Sequence, residues 1–164
     1  MIFRTTPEQK LQLARIVVQM QDAGLPIEFV AAANELASVD QGAFELLDLW
    51  ARAENEQDRD ETIADIQELL DEGEELPRHT AERPKLAFSD LDGVVQQILA
   101  HKQRIRDLID RNGGVSEVAR RAGIPQPSLS RMLSSASMPR RTTLYKIAKA
   151  IGASEGDIVG DWIR

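Results

Sequence analysis

The sequence predicts an all-α fold whose two helical halves carry opposite charge. Apolar residues recur mainly three and four positions apart, as on one face of an α-helix, and runs of β-branched residues are short. Residues 1–72 hold sixteen acidic and five basic side chains, a net charge of −11, whereas residues 90–164 have a net charge of +4. We therefore expect an acidic N-terminal helical bundle over 1–72, a linker over 73–89 and a basic helical domain over 90–164.

The composition restricts the class of protein. The chain has no cysteine, which excludes disulfides, thiolate metal sites and cysteine nucleophiles. No apolar stretch approaches the roughly 18 residues of a membrane-spanning helix. The first residues also lack the apolar run of a signal peptide. We expect a soluble cytoplasmic protein with no membrane partner.

Four helices are expected in the acidic half. Thr6 has the character of an N-cap, because Pro7 follows at the first helical position and Gln9 stands three residues after the cap. This first helix should end at Gly24. Three further helices with apolar stripes follow: residues 26–37, a helix that Asp40 opens, and residues 58–71. Residues 73–89 contain two prolines and a glycine without a sustained period, which is typical of a linker, and Ser89 could cap the next helix.

Five helices are expected in the basic half. They are residues 94–109, residues 115–122, a helix from Gln126, a helix that ends at Gly152, and a helix from Asp157. Gly123 separates the second and third helices, where a left-handed turn is expected. From Lys102 to Lys149 the chain has eleven basic and three acidic residues, a net charge of +8. Two helices joined by a short glycine turn inside a basic bundle indicate a helix-turn-helix.

The 45 residues from Val115 to Val159 resemble the Xre family of regulators, which includes phage Cro and lambda-type repressors. The matching features are Val118-Ala119, Gly123, Ser128-Leu129-Ser130-Arg131, Pro139, the string from Leu144 to Gly152, and Ile158. The resemblance implies a five-helix lambda-repressor-like domain that binds double-stranded DNA. It also implies that the third of these helices is a recognition helix, whose N-terminal end faces base edges in the major groove.

Base readout is expected from the start of that recognition helix. The candidates are Gln126, Pro127, Ser128, Ser130 and Arg131. Glutamine can bond adenine and arginine can bond guanine, each through two hydrogen bonds, and serine can bond bases or phosphates. Arg131 is the strongest candidate, and its alternative role is a solvated arginine or a phosphate clamp. This interpretation requires the polar face of the helix to be open, since a helix packed away inside the bundle could not enter the groove.

Phosphate contacts are expected from helix starts. Many Xre relatives have a phosphate-binding glutamine where this chain has Val115 and Ser116, and we expect Ser116 to cap its helix and contact a phosphate. Further candidates surround the start of the fourth helix, where free backbone N–H groups also attract anions: Arg140, Arg141, Thr142, Thr143 and Lys146. Weaker candidates are Lys102, Arg104, Arg106, Arg120 and Arg121.

These expectations favour a sequence-specific transcriptional regulator, preferably a repressor that binds operator DNA as a homodimer. The acidic half could be the dimerisation domain, or it could dock a basic protein. In the second case the chain would be the antitoxin of a type II toxin–antitoxin pair. It would neutralise the toxin through its N-terminal domain and regulate its own operon. Charge does not choose between these readings, because acidity would also keep that half off DNA. Sensing of a small ligand is a third alternative.

Catalysis is not expected. His79 and His101 stand 22 positions apart, without the spacing of a metal site. We expect His79 to be a solvated loop residue and His101 to be a surface residue near the DNA face. The sequence has no glycine-rich phosphate loop and no nucleophile elbow. We therefore predict no catalytic residue, no metal site and no cofactor. An adaptor that uses the same bundle to bind protein is the alternative from another class.

Overall fold

The computed structural model describes residues 3–74 and 91–159, and the regular structure in those ranges is helical. Four helices form in the N-terminal half: α1 Pro7–Asp22, α2 Ile27–Val39, α3 Gln41–Arg52 and α4 Glu56–Glu74. Five form in the C-terminal half: α5 Leu91–Arg111, α6 Gly114–Ala122, α7 Gln126–Ser134, α8 Arg141–Ile151 and α9 Glu155–Val159. The predicted all-α class is confirmed. Within the described ranges, none of these helices is both long and apolar enough to cross a membrane.

Local signals in the sequence set the ends of the first helices. The Thr6 backbone N–H donates to Gln9 Oε1 at 2.8 Å, and the Gln9 N–H donates to Thr6 Oγ1 at 3.3 Å, so the predicted capping box is present. The Asp40 carboxylate accepts from the Ala43 N–H at 2.8 Å and caps α3, as predicted. Gly24 adopts a φ of +78° just after α1.

The first four helices pack around one apolar cluster. Met20, Ala33 and Leu47 are fully buried in it, and Trp50 also lies in it. Helix α4 contributes Ile63 and Ile66. This helix is longer than predicted at both ends, so Gly73 and Glu74, which we assigned to the linker, are helical.

A second apolar cluster lies in the C-terminal half and shares no residue with the first. Its fully buried members come from all five helices of this half: Ile109, Val118, Leu129, Leu144, Ile147 and Ile158. Met132 of α7 is partly buried against this cluster. Ser89, the predicted cap of α5, lies outside the described residues.

The two halves touch through α4. This helix packs against α3 with one side and against α7 and α8 with another. Ala64 and Asp71 on the second side are buried, with 5% and 6% of their surface exposed. The acidic half therefore lies against α7, the predicted recognition helix. The sequence did not predict this contact.

Candidate nucleic-acid interface

A tight turn between α6 and α7 orients the two helices. Gly123 ends α6 in the left-handed region, with a φ of +67°, and its N–H bonds back to the carbonyls of Ala119 and Arg120. A residue with a side chain rarely adopts this conformation, which explains the glycine. Ile124 follows and is buried. Pro125 then adopts an extended backbone as the N-cap of α7. The predicted turn is confirmed.

Helix α7 divides the predicted base-reading residues between two environments. Leu129 and Leu133 are buried in the second cluster, while Gln126, Ser130 and Arg131 are exposed. Pro127 is half-buried. Ser128 is buried, with 8% of its surface exposed, and its Oγ has no hydrogen-bond partner.

The helices around the turn begin without side-chain caps. At the starts of α6, α7 and α8, no side chain of the N-cap residue accepts from the first amides, in contrast with α1 and α3. Such free N–H groups attract anions. Ser116 does not cap α6, because Gly113 is the N-cap and Ser116 lies exposed within the first turn. The capping prediction was wrong, and the phosphate contact of Ser116 stays a prediction.

Arg141 is the most accessible of the predicted phosphate ligands at the start of α8. Its side chain is held over Tyr145, with the guanidinium carbon 5.3 Å from the ring centroid. Its Nε donates to the Tyr145 hydroxyl at 2.6 Å. An arginine held this way loses less conformational freedom when it binds a phosphate. Thr142 is half-buried, and its Oγ1 has no hydrogen-bond partner.

Two other predicted phosphate ligands contact α4. Arg140 Nη2 lies 3.6 Å from Glu72 Oε1. Thr143 is buried, and its Oγ1 donates to Asp71 Oδ2 at 3.4 Å. A cavity of about 260 Å³ between α4 and the helix-turn-helix brings these positions together with Ser128 and Arg131. Lys146 lies elsewhere, in a groove that it shares with Arg120, Arg121 and Lys149.

Arg131, the strongest candidate for base readout, has an acidic partner. Its Nη1 donates to Asp65 Oδ1 of α4 at 2.6 Å. This hydrogen bond raises the pKa of the guanidinium above its ordinary value, and the charges of Glu68 and Glu61 add to the effect. No local pattern in the sequence predicts the α4 carboxylates as partners, since 66 positions separate Asp65 from Arg131.

Three of the weaker phosphate candidates have other roles in this structure. Arg120 and Arg121 both bind Glu117, at 2.6 and 2.9 Å. Their hydrogen bonds lower the pKa of the Glu117 carboxyl to about 2. Lys102 is buried, and its Nζ donates to the Ser135 carbonyl at 2.6 Å and to Ser135 Oγ at 3.1 Å. Ser135 is the C-cap of α7, so Lys102 holds the end of the predicted recognition helix.

His101 is buried beside Lys102, so its predicted place on the surface was wrong. Burial lowers the pKa of the imidazole, and the nearby charge of Arg104 lowers it further. The signal for Lys102 was present in the sequence: it precedes the buried Ile105 and Ile109 by three and seven positions, on one helix face.

The burial of Lys102 predicts a stability change at high pH. Burial lowers the pKa of this ammonium to about 8 from the ordinary 10.5. Between these two values the unfolded chain binds more protons, so the free energy of unfolding should rise as pH rises through this window. We expect the wild-type chain to gain about 1–3 kcal/mol over this range relative to Lys102→Met, measured by urea unfolding. Lys149→Met, at an exposed position, should follow the wild type. Equal pH dependence of all three proteins would contradict a buried ammonium.

Comparison with known families bears on this region. The helix-turn-helix family model matches residues 105–158, from α5 through the α6–α7 turn into α9. The Xre-like identification of the C-terminal half is thereby confirmed. No curated protein and no solved structure matches the chain.

Proposed function

We propose that this chain, a helix-turn-helix protein over residues 105–158, represses transcription in the cytoplasm by occupying operator DNA. The observation that carries the proposal is the α6–Gly123–α7 turn within the matched segment, because this motif places one helix for entry into the major groove. Repression is preferred because occupancy of a promoter is sufficient for it.

The exposed groups divide into those that would contact bases and those that would contact phosphates. Gln126, Ser130 and Arg131 would contact base edges, together with Pro127 and Ser128 once α7 lies in the groove. The uncapped amides of α6, α7 and α8 and the Arg141 guanidinium would contact phosphates. Such contacts fix the register of the protein on the duplex, and the base contacts give sequence preference.

A homodimer is the proposed form on DNA, with half-sites roughly 34 Å apart or a multiple of that. Apolar side chains on the described surface support pairing of two copies. Val95 and Leu99 lie one turn apart on α5 and are 38% and 43% exposed. Leu11 and Val18 lie two turns apart on α1 and are more exposed still. The oligomeric state on and off DNA, measured by sedimentation, tests this part of the proposal.

Arg131→Ala should change sequence preference. Loss of a two-bond contact to a base is expected to weaken specific binding by about 1–3 kcal/mol and to relax preference at one base pair. Selection of bound fragments from random duplexes, followed by titration of the selected site, measures both effects. Arg141→Ala is the matched control, because loss of a phosphate contact should weaken all sequences evenly and lower the salt slope by about one. An unchanged base preference in Arg131→Ala would refute the assigned readout.

The antitoxin reading is the second candidate, and one feature favours it. A groove of about 500 Å³ runs beside the start of α4, and its carboxylates are those of Glu54, Asp58, Glu61 and Asp65. Such a surface is suited to a basic protein. Co-expression with a small basic protein encoded beside this chain tests the reading, with co-purification and loss of toxicity as the expected results.

A further inference from the structure

Helix α4 contacts three of the side chains that are predicted to bind DNA. Asp65 binds Arg131, Glu72 lies near Arg140, and Asp71 accepts from Thr143. The major groove is about 12 Å wide and admits one helix, and an α-helix with its side chains is about 10–12 Å across. A pair of packed helices therefore does not fit into it. In the described arrangement Arg131 is held by Asp65 and cannot enter the groove together with α4, although Gln126 and Ser130 are exposed.

Helix α4 is negatively charged, as is the DNA with which it would compete. The helix carries nine acidic side chains and one basic one, a net charge of −8. Asp65, Glu68 and Glu72 follow one another at three and four positions, so their carboxylates share one face. That face meets the cationic groups expected to bind phosphates and bases. The α4 carboxylates thus occupy the same arginines that a duplex needs.

We propose that α4 is an intramolecular competitor of DNA, and that binding of a duplex requires α4 to leave α7. This inference rests on the proposed function. Because α4 is joined covalently to the helix-turn-helix, dilution does not remove it. The apparent dissociation constant for DNA then exceeds the intrinsic one by the reciprocal of the open fraction. Exposed ion pairs are individually weak, so the closed arrangement is reversible.

Neutralisation of the α4 face tests the competition. The variant is Asp65→Asn with Glu68→Gln and Glu72→Gln, three exposed positions. The matched control, Asp22→Asn with Glu35→Gln and Glu45→Gln, makes the same change of charge at exposed positions on α1, α2 and α3. The probe is a fluorescent mixed-sequence duplex of roughly three helical turns at low ionic strength. We expect the α4 variant to bind about tenfold more tightly than the control.

A distance measurement tests the opening without relying on affinity. The chain has no cysteine, so cysteines introduced at the exposed Gln21 of α1 and Gln103 of α5 can be spin-labelled selectively. The label-to-label distance should be narrowly distributed in the free wild type. It should change by about a helix diameter, roughly 10 Å, when the duplex is added. The α4 variant should show part of this change without DNA.

The outcomes separate the two proposals. Tighter binding by the α4 variant together with a DNA-induced change of distance supports the competition. Equal affinities of the α4 variant and the control, or duplex binding at an unchanged distance, would overturn the competition and leave DNA binding intact. An α4 variant that is open by distance but binds no duplex would overturn the proposed function, and the competition with it.

Discussion

Leu129→Ala is expected to unfold the C-terminal helices and to abolish DNA binding. Leu129 is fully buried on the inner face of α7, in the cluster that includes Ile105 and Leu144. Truncation of a buried leucine costs about 2–5 kcal/mol through lost transfer energy and the cavity left behind. Small domains have little stability to spare, so this loss is a large part of the total. Urea unfolding and duplex titration measure the two effects.

The matched control is Leu99→Ala, the same substitution at a position that is 43% exposed. It should cost less than about 1 kcal/mol, because little apolar surface is removed from the core. If Leu129→Ala retained both the wild-type unfolding midpoint and its duplex affinity, α7 would not be packed as described.

Leu47→Ala is expected to lower the stability by a similar amount but to raise the affinity for DNA. Leu47 is fully buried in the first cluster, which also contains Ile63 and Ile66 of α4. Truncation should destabilise that cluster by about 2–5 kcal/mol. If α4 competes with DNA, loss of its support increases the open fraction, so duplex affinity should rise although the protein is less stable.

Leu49→Ala, at an exposed position on α3, is the control for this variant and should change neither property. Duplex affinity that falls in Leu47→Ala would contradict the competition, since a general loss of fold would then explain the result. Opposite effects of the two leucine variants would show that the two clusters act separately.

Local signals explain how much of the fold could be predicted. Thr6, Asp40, Gly123 and Gly152 each mark a helix end through hydrogen bonds or dihedral angles that depend on nearby residues only. The end of α4 was predicted too early, because Gly73 suggested a boundary. A glycine costs a helix only about 1 kcal/mol relative to alanine, and α4 continues through it.

The errors at the candidate site have tertiary or backbone causes. Ser116 was predicted as a cap, but Gly113 and Gly114 both adopt positive φ values and start α6 earlier. Lys102 was predicted at the surface because lysine is rarely buried, and only the packing of α5 against the end of α7 provides its partner.

The contact between α4 and α7 could not be predicted from the sequence, for a different reason. The charge pattern suggested that the acidic half keeps away from DNA, and it said nothing of which surface that half covers. The Arg131–Asp65 pair joins two helices whose buried residues belong to separate clusters, and no local pattern encodes such a pairing.

The dual packing of α4 also determines how it could move. Ile63 and Ile66 are buried against α1–α3, while Ala64 and Asp71 are buried on the side of α7. Detachment of α4 alone would expose two isoleucines, each worth about 1.5–3 kcal/mol of burial. Separation of α1–α4 as one rigid body keeps both isoleucines buried and breaks only the contacts of α4 with α7 and α8, which include the buried Ala64 and the exposed ion pairs. The lower-energy route is therefore a domain rotation, which belongs to the microsecond-to-millisecond range and leaves every helix intact.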